Sequence, residues 1–146
     1  MRALIAIGVS AVMLAGCGQK SAFEELADGQ CTSAQSKLIE EHISGQIDAL
    51  ARQDWKSAYS FASTNFQASV TIEQFTSIIG VQYAMLVENQ GYRFDNCDIA
   101  SEMIRQEVNV TSDGQDFNLT YELSLIDKTL GVESAVVRDV STQLNA

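Results

Sequence analysis

Phe117-Asn118-Leu119-Thr120-Tyr121-Glu122-Leu123-Ser124-Leu125 is the stretch that decides the fold. Apolar and polar residues alternate along all of it, and successive side chains of a strand point to opposite faces. Phe117, Leu119, Tyr121, Leu123 and Leu125 therefore face a core, while Asn118, Thr120, Glu122 and Ser124 face away from it. Just upstream, Asp113-Gly114 is a hairpin signal, because both central residues of such a turn take positive φ. It leads back to a strand over about Ile99–Thr111 in which Ile104, Val108 and Val110 share one face. Irregularity near Met103 predicts a bulge there. Downstream, a turn around Asp127–Gly131 leads into Val132–Val140. The chain has no proline, so this last segment is free to pair on both sides.

Before Gly91 the period is helical. Thr32 with Gln35 has capping-box spacing, and Ile39, Ile43, Ile47 and Leu50 then fall on one helical face. A first helix is predicted over Ser33–Arg52, with His42 and Gln46 at the edge of its apolar stripe. Asp54 caps a short second helix carrying Trp55, Ala58, Tyr59 and Ala62. Thr71 with Gln74 repeats the capping spacing and opens a third, with Ile72, Phe75, Ile78 and Ile79 inward; it ends at Gly80 or continues to Tyr83. Met85–Val87 reads as a short strand. About three N-terminal helices followed by three to four antiparallel strands make an α+β domain, one helix layer on one sheet face.

The N-terminus carries a different message. Arg2 precedes an apolar run from Ala3 to Ala15 that closes on Leu14-Ala15-Gly16-Cys17. A cation, a short apolar stretch and small residues form a secretory signal pattern, and the run is shorter than the ~20 residues a spanning helix needs. With cysteine at the cleavage point, the segment resembles a bacterial lipoprotein signal and its lipobox. The resemblance implies cleavage after Gly16 and lipid attachment at Cys17, so that the acyl chains anchor the protein in a membrane on the extracytoplasmic side. Gly18 stands where Asp would mark inner-membrane retention, which points to the outer membrane of a Gram-negative cell and to the cell surface otherwise. The expected organisation is a signal peptide over 1–16, a lipidated N-terminus and tether over 17–32 with a turn near Phe23–Leu26, and one domain over 33–146.

The full chain has a net charge of −10 with nine Lys and Arg. These cations are scattered singly, so nucleic acid is a poor candidate partner. With Cys17 assigned to lipid, Cys31 and Cys97 remain in an exported domain where oxidation is favoured. They allow one intramolecular disulfide, closing a loop of about 65 residues and contributing roughly 4 kcal/mol in the chain-entropy account; two buried thiols are the alternative.

A second resemblance rests on Ile47-Asp48-Ala49-Leu50, Asp54, Ala58-Tyr59-Ser60-Phe61-Ala62-Ser63, Phe66, Phe75, Ile79 and Tyr83. This run is similar to small NTF2-like (cystatin-like) domains, and most similar to the DUF4864-type group, over most of residues 36–140. The likeness implies a cone in which a curved sheet wraps the helices and a pocket opens between them. Such a pocket hosts unrelated activities, so the fold does not name a function.

For chemistry the chain offers one histidine, His42, and no metal-ligand spacing, P-loop or Gly-x-Ser-x-Gly pattern. No cofactor or metal is expected. An enzyme reading needs a carboxylate in an apolar pocket beside a tyrosine, drawn from Asp98, Glu102 or Glu122 with Tyr59, Tyr83 or Tyr121. Glu122 falls on the polar side of its strand, which argues against it. The aromatic cluster Trp55, Tyr59, Phe61, Phe66, Phe75 and Tyr83 is either packed core or the lining of a ligand pocket. For the pocket, the candidate residues are His42, Gln46, Trp55, Tyr59, Phe75, Tyr83 and Tyr121. The reading that follows is a non-enzymatic envelope lipoprotein binding a small apolar ligand or a partner protein, with homodimerisation through an exposed sheet face as a further expectation. A small lyase- or isomerase-type enzyme is the alternative. An accessory domain resembling those attached to cell-wall transpeptidases is a third reading.

Overall fold

The computed structural model describes residues 21–138. The signal segment, the lipobox with Cys17, Gly18 and the end of the last predicted strand lie outside those residues. The described elements run β1 (Gly29–Gln30), α1 (Ser33–Ala51), α2 (Trp55–Ser60), α3 (Thr64–Ser69), α4 (Ile72–Gln82), α5 (Ala84–Val87), β2 (Tyr92–Ala100), β3 (Met103–Ser112), β4 (Gln115–Ile126) and β5 (Thr129–Arg138). The fold is α+β, with the strands in the order β1-β2-β3-β4-β5 in one antiparallel sheet.

Helix α1 begins where its cap is written. The Thr32 hydroxyl accepts from the Gln35 N–H at 3.2 Å, and Gln35 Oε1 accepts from the Thr32 N–H at 2.8 Å. The α4 cap repeats this with Thr71 and Gln74. Ile39, Ile43, Ile47 and Leu50 are fully buried, and they meet the inner sheet face formed by Ile104, Val108, Val110, Leu119, Tyr121 and Leu123. Leu119, Tyr121 and Leu123 of β4 face the core as the alternation predicts, with Tyr121 opposite Gln106 on β3 and Ala135 on β5, whereas Thr120, expected to face away, is also buried and Leu125, expected inward, is only half-buried.

There are more elements than the sequence predicts. Irregularity near Met103 is a turn rather than a bulge: Ser101 and Glu102 take φ of 50° and 63°, so the predicted single strand is the hairpin β2–β3. The Ser101 N–H donates to Asp28 Oδ1 at 2.9 Å, which secures that turn from a distant segment. True irregularities fall between Phe94 and Cys97 on β2 and opposite Glu122/Leu123 on β5. Gln106 is buried inside the first of these, its amide N–H groups donating to the carbonyls of Asp95 and Asn96 at 3.2 Å each. Met85–Val87, expected as strand, is helix α5, and Ser63 caps α3 through the Phe66 N–H.

The segment expected as tether is seated on the domain over much of its length. Gly29–Gln30 pairs with β2, Phe23 and Leu26 pack on the core, and the Gln35 amide donates to the Ala22 carbonyl at 3.0 Å. A Cys31–Cys97 disulfide closes this corner.

Candidate functional site

Between α1, α4 and β5 the layers do not close completely, and a cavity of about 240 Å³ remains. Helix α1 contributes Gln46 and Leu50 to it, and α4 contributes Phe75, Ile78 and Ile79. The α4–α5 junction adds Tyr83 and Leu86, the turn after α2 adds Ala62, α3 adds Phe66, and the sheet adds Tyr121 and Val132–Val136. The walls are overwhelmingly apolar. Two backbone bonds fix β5 against the turn after α2: Ser63 N–H to the Val132 carbonyl and Val132 N–H to the Phe61 carbonyl, both 2.9 Å. Farther along β5, the Tyr83 hydroxyl donates to the Ala135 carbonyl at 2.5 Å, tying the end of α4 to the sheet.

The polar groups of the wall differ in how well they are satisfied. The Gln46 amide donates to the Ala58 carbonyl at 3.2 Å. Glu133 sits at the β5 irregularity and its Oε1 accepts from the Ser124 hydroxyl at 2.5 Å. Tyr121 is 1% exposed, and its hydroxyl has no hydrogen-bond partner among the described residues. Burial pushes that phenol far above its ordinary range, so it remains a neutral O–H donor.

Of the residues expected to line a pocket, Gln46, Phe75, Tyr83 and Tyr121 share this cavity, whereas His42, Trp55 and Tyr59 lie outside its wall. His42 holds the turn after α2, its Nε2 at 2.9 Å from the Phe61 carbonyl and its ring edge-on to Phe61 at 5.1 Å. An N–H must donate to that carbonyl, so Nε2 carries the proton. The Tyr59 hydroxyl donates to the Val70 carbonyl at 2.6 Å and locks the α3–α4 connection. Trp55 is half-buried against the core. The carboxylates considered for catalysis are not in the wall either. Glu122 pairs with Arg105 at 3.5 Å, Asp98 shares Arg105's sheet face by register, and Glu102 is exposed in the β2–β3 turn. Among the described residues no group of three or more His, Cys, Asp or Glu could hold a metal ion, and no helix is long and apolar enough to cross a membrane.

The family model described as "Domain of unknown function (DUF4864)" matches residues 32–142. The chain belongs to the DUF4864 family. No curated protein matches it, and no solved structure does. The matched region of this DUF4864 chain contains every element from α1 to β5, and with them the whole cavity wall. Sequence reading placed Phe66 in the aromatic cluster that core or pocket would use, but it missed the β5 contribution, Val132–Val136, and the wall residues Leu50, Ala62, Ile78, Ile79 and Leu86. Their apolar character was visible, but an apolar residue looks the same in sequence whether it borders a cavity or fills a core.

Proposed function

We propose that this DUF4864 protein is a non-catalytic cell-envelope lipoprotein whose domain, an NTF2-like cone, holds a small apolar ligand. The observation that carries this reading is the apolar cavity of about 240 Å³ between α1, α4 and β5. An engineered apolar cavity of roughly 150 Å³ stays dry and takes up benzene, so this one has room for a somewhat larger guest. A binding role is favoured over catalysis because the one carboxylate among the lining residues, Glu133, is engaged by Ser124. The address comes from Leu14-Ala15-Gly16-Cys17: lipid on Cys17 holds the domain at the extracytoplasmic face, at the outer membrane where the cell has one.

Native mass spectrometry of the protein purified from membranes tests both halves. The expected species begins at Cys17, carries the acyl mass, and retains a small molecule that is released on unfolding. Recovery of an unprocessed, unlipidated chain in the cytosol would end the lipoprotein reading. A protein that carries no guest and takes up none from a panel of apolar compounds would end the binding reading.

A further inference from the structure

Were Cys17 to Thr32 a free tether, its sixteen residues would let the domain stand up to roughly 55 Å from its lipid. The seating of that segment shortens the reach. The Ala22 carbonyl already accepts from the Gln35 amide at 3.0 Å, and Phe23 and Leu26 pack on the core. Asp28 accepts the Ser101 N–H at 2.9 Å, and Gly29–Gln30 pairs with β2 just ahead of the Cys31–Cys97 disulfide. Five residues, Cys17 to Ser21, are left between lipid and fold, and they span no more than about 17 Å. The seated segment gathers one corner of the domain, made with the start of α1 and the β2–β3 turn. The cavity lies across the fold from it. Strands β1 and β5 are opposite edges of the sheet, four steps of ~4.8 Å or about 19 Å apart. Along α1, Gln46 and Leu50 in the cavity wall follow Gln35 by 11 and 15 residues, about 16 and 22 Å.

We propose that this corner, Ser21–Asp28 with the Ser101-Glu102 turn, is the surface the domain turns to the headgroups of its own bilayer, and that the cavity is presented on the far side, toward water. This rests on the lipoprotein reading and adds an orientation to it; it does not require the cavity to be filled. The corner is held down by its short leash and not by affinity for lipid. Glu24, Glu25, Asp28 and Glu102 are exposed there against the single exposed cation Lys37 on the neighbouring turn of α1, so anionic headgroups repel it. The lipid surface it fits is therefore a zwitterionic one. A guest then reaches the cavity from the aqueous side and not by lateral diffusion within the bilayer.

The test uses nitrogen-labelled protein purified from membranes, its acyl mass checked first, in phosphatidylcholine nanodiscs that contain a lipid with a gadolinium-chelating headgroup. Loss of amide signal reports nearness to the headgroups. The expected loss is greatest at Ser21–Asp28 and Ser101–Glu102 and least at Ile78 and Val132–Val136. A second protein carries a ten-residue Gly-Ser insertion between Gly18 and Gln19, which lengthens the leash to about 50 Å without touching the fold. In it the loss at the corner should fall toward that at the cavity wall. In wild type, replacing phosphatidylcholine by phosphatidylglycerol at low salt should also reduce the loss at the corner, and added salt should restore it. An acylated protein whose loss is even over the domain, or greatest at Ile78 and Val132–Val136, overturns this orientation while leaving the lipoprotein reading in place. An unchanged loss at the corner in the insertion protein overturns the leash as its cause. Absence of acyl mass on Cys17 ends the lipoprotein reading and this inference with it.

Discussion

At Gly131 the start of β5 crosses the turn after α2 so closely that a side chain has nowhere to go. A Cβ there would lie 2.5 Å from Ser63 Cα and 2.9 Å from Ser63 N, and backbone atoms held by the Ser63–Val132 hydrogen bond cannot swing aside. Gly131→Ala is therefore expected to lower unfolding stability by about 1–3 kcal/mol in urea titration. Gly80 makes the opposite case. Nothing lies within 4 Å of its Cβ position, and it sits inside helix α4, so Gly80→Ala should raise stability by about 0.5–1 kcal/mol. A Gly131→Ala variant as stable as wild type or more so would refute the close approach to Ser63. His42 adds a pH dependence of known sign. Desolvation lowers its pKa from the ordinary 6.5, against a smaller opposing effect of the Phe61 carbonyl. Below about pH 6.5 the unfolded chain takes up a proton that the folded one refuses, so this contribution is present above that pH and lost as pH falls toward the depressed folded value. In His42→Gln, the decline of stability between neutral pH and about pH 5 should become shallower; an unchanged slope would assign it to other groups.

The elements that are legible in sequence are those whose signals are local. Thr32 with Gln35 and Thr71 with Gln74 mark the first turns of α1 and α4, and both boxes form in full. Thr71→Ala is expected to cost about 1 kcal/mol, read as a lower midpoint in chemical denaturation with an unchanged slope. A loss below a few tenths of a kcal/mol would mean that packing of Phe75 and Ile79 alone specifies α4. Where the signal is not local, the sequence misleads. Ser101-Glu102 lacks Gly, Asn and Asp, yet both residues take positive φ, partly because Asp28 on a distant segment accepts the Ser101 N–H. No reading of Ala100–Met103 alone finds that turn. Met85-Leu86-Val87 fails for another reason: an apolar run this short fits strand and helix equally, and α5 has no side-chain cap to announce it. The two-residue β1 becomes a strand only by lying beside β2.

At the scale of the whole molecule, the candidate site follows the same division. Gln46, Phe75, Tyr83 and Tyr121 were legible as candidate pocket residues, but that Tyr59 and His42 spend their polar atoms on the backbone at Val70 and Phe61 depends on how α2 and α3 fold back. The covalent link between distant parts is the disulfide between Cys31 and Cys97, which are 66 residues apart. It joins the start of α1 to the middle of β2, where the Cys31 N–H also donates to the Cys97 carbonyl at 3.0 Å. Pairing through two-residue β1 is too short to hold that edge by itself, so the crosslink should carry much of the restraint on the segment before α1. Substituting both cysteines by serine is expected to lower stability by about 4 kcal/mol, the chain-entropy value for a loop of this length. The loss should be uneven: amide exchange should accelerate most at Gly29–Gln30 and along Cys97–Ala100, and least in β4, whose neighbours β3 and β5 pair along its length. A double variant within about 1 kcal/mol of wild type, with β1 still protected, would show that the Phe23, Leu26 and Gln35 contacts suffice to seat the N-terminal segment and that the crosslink is dispensable to the fold.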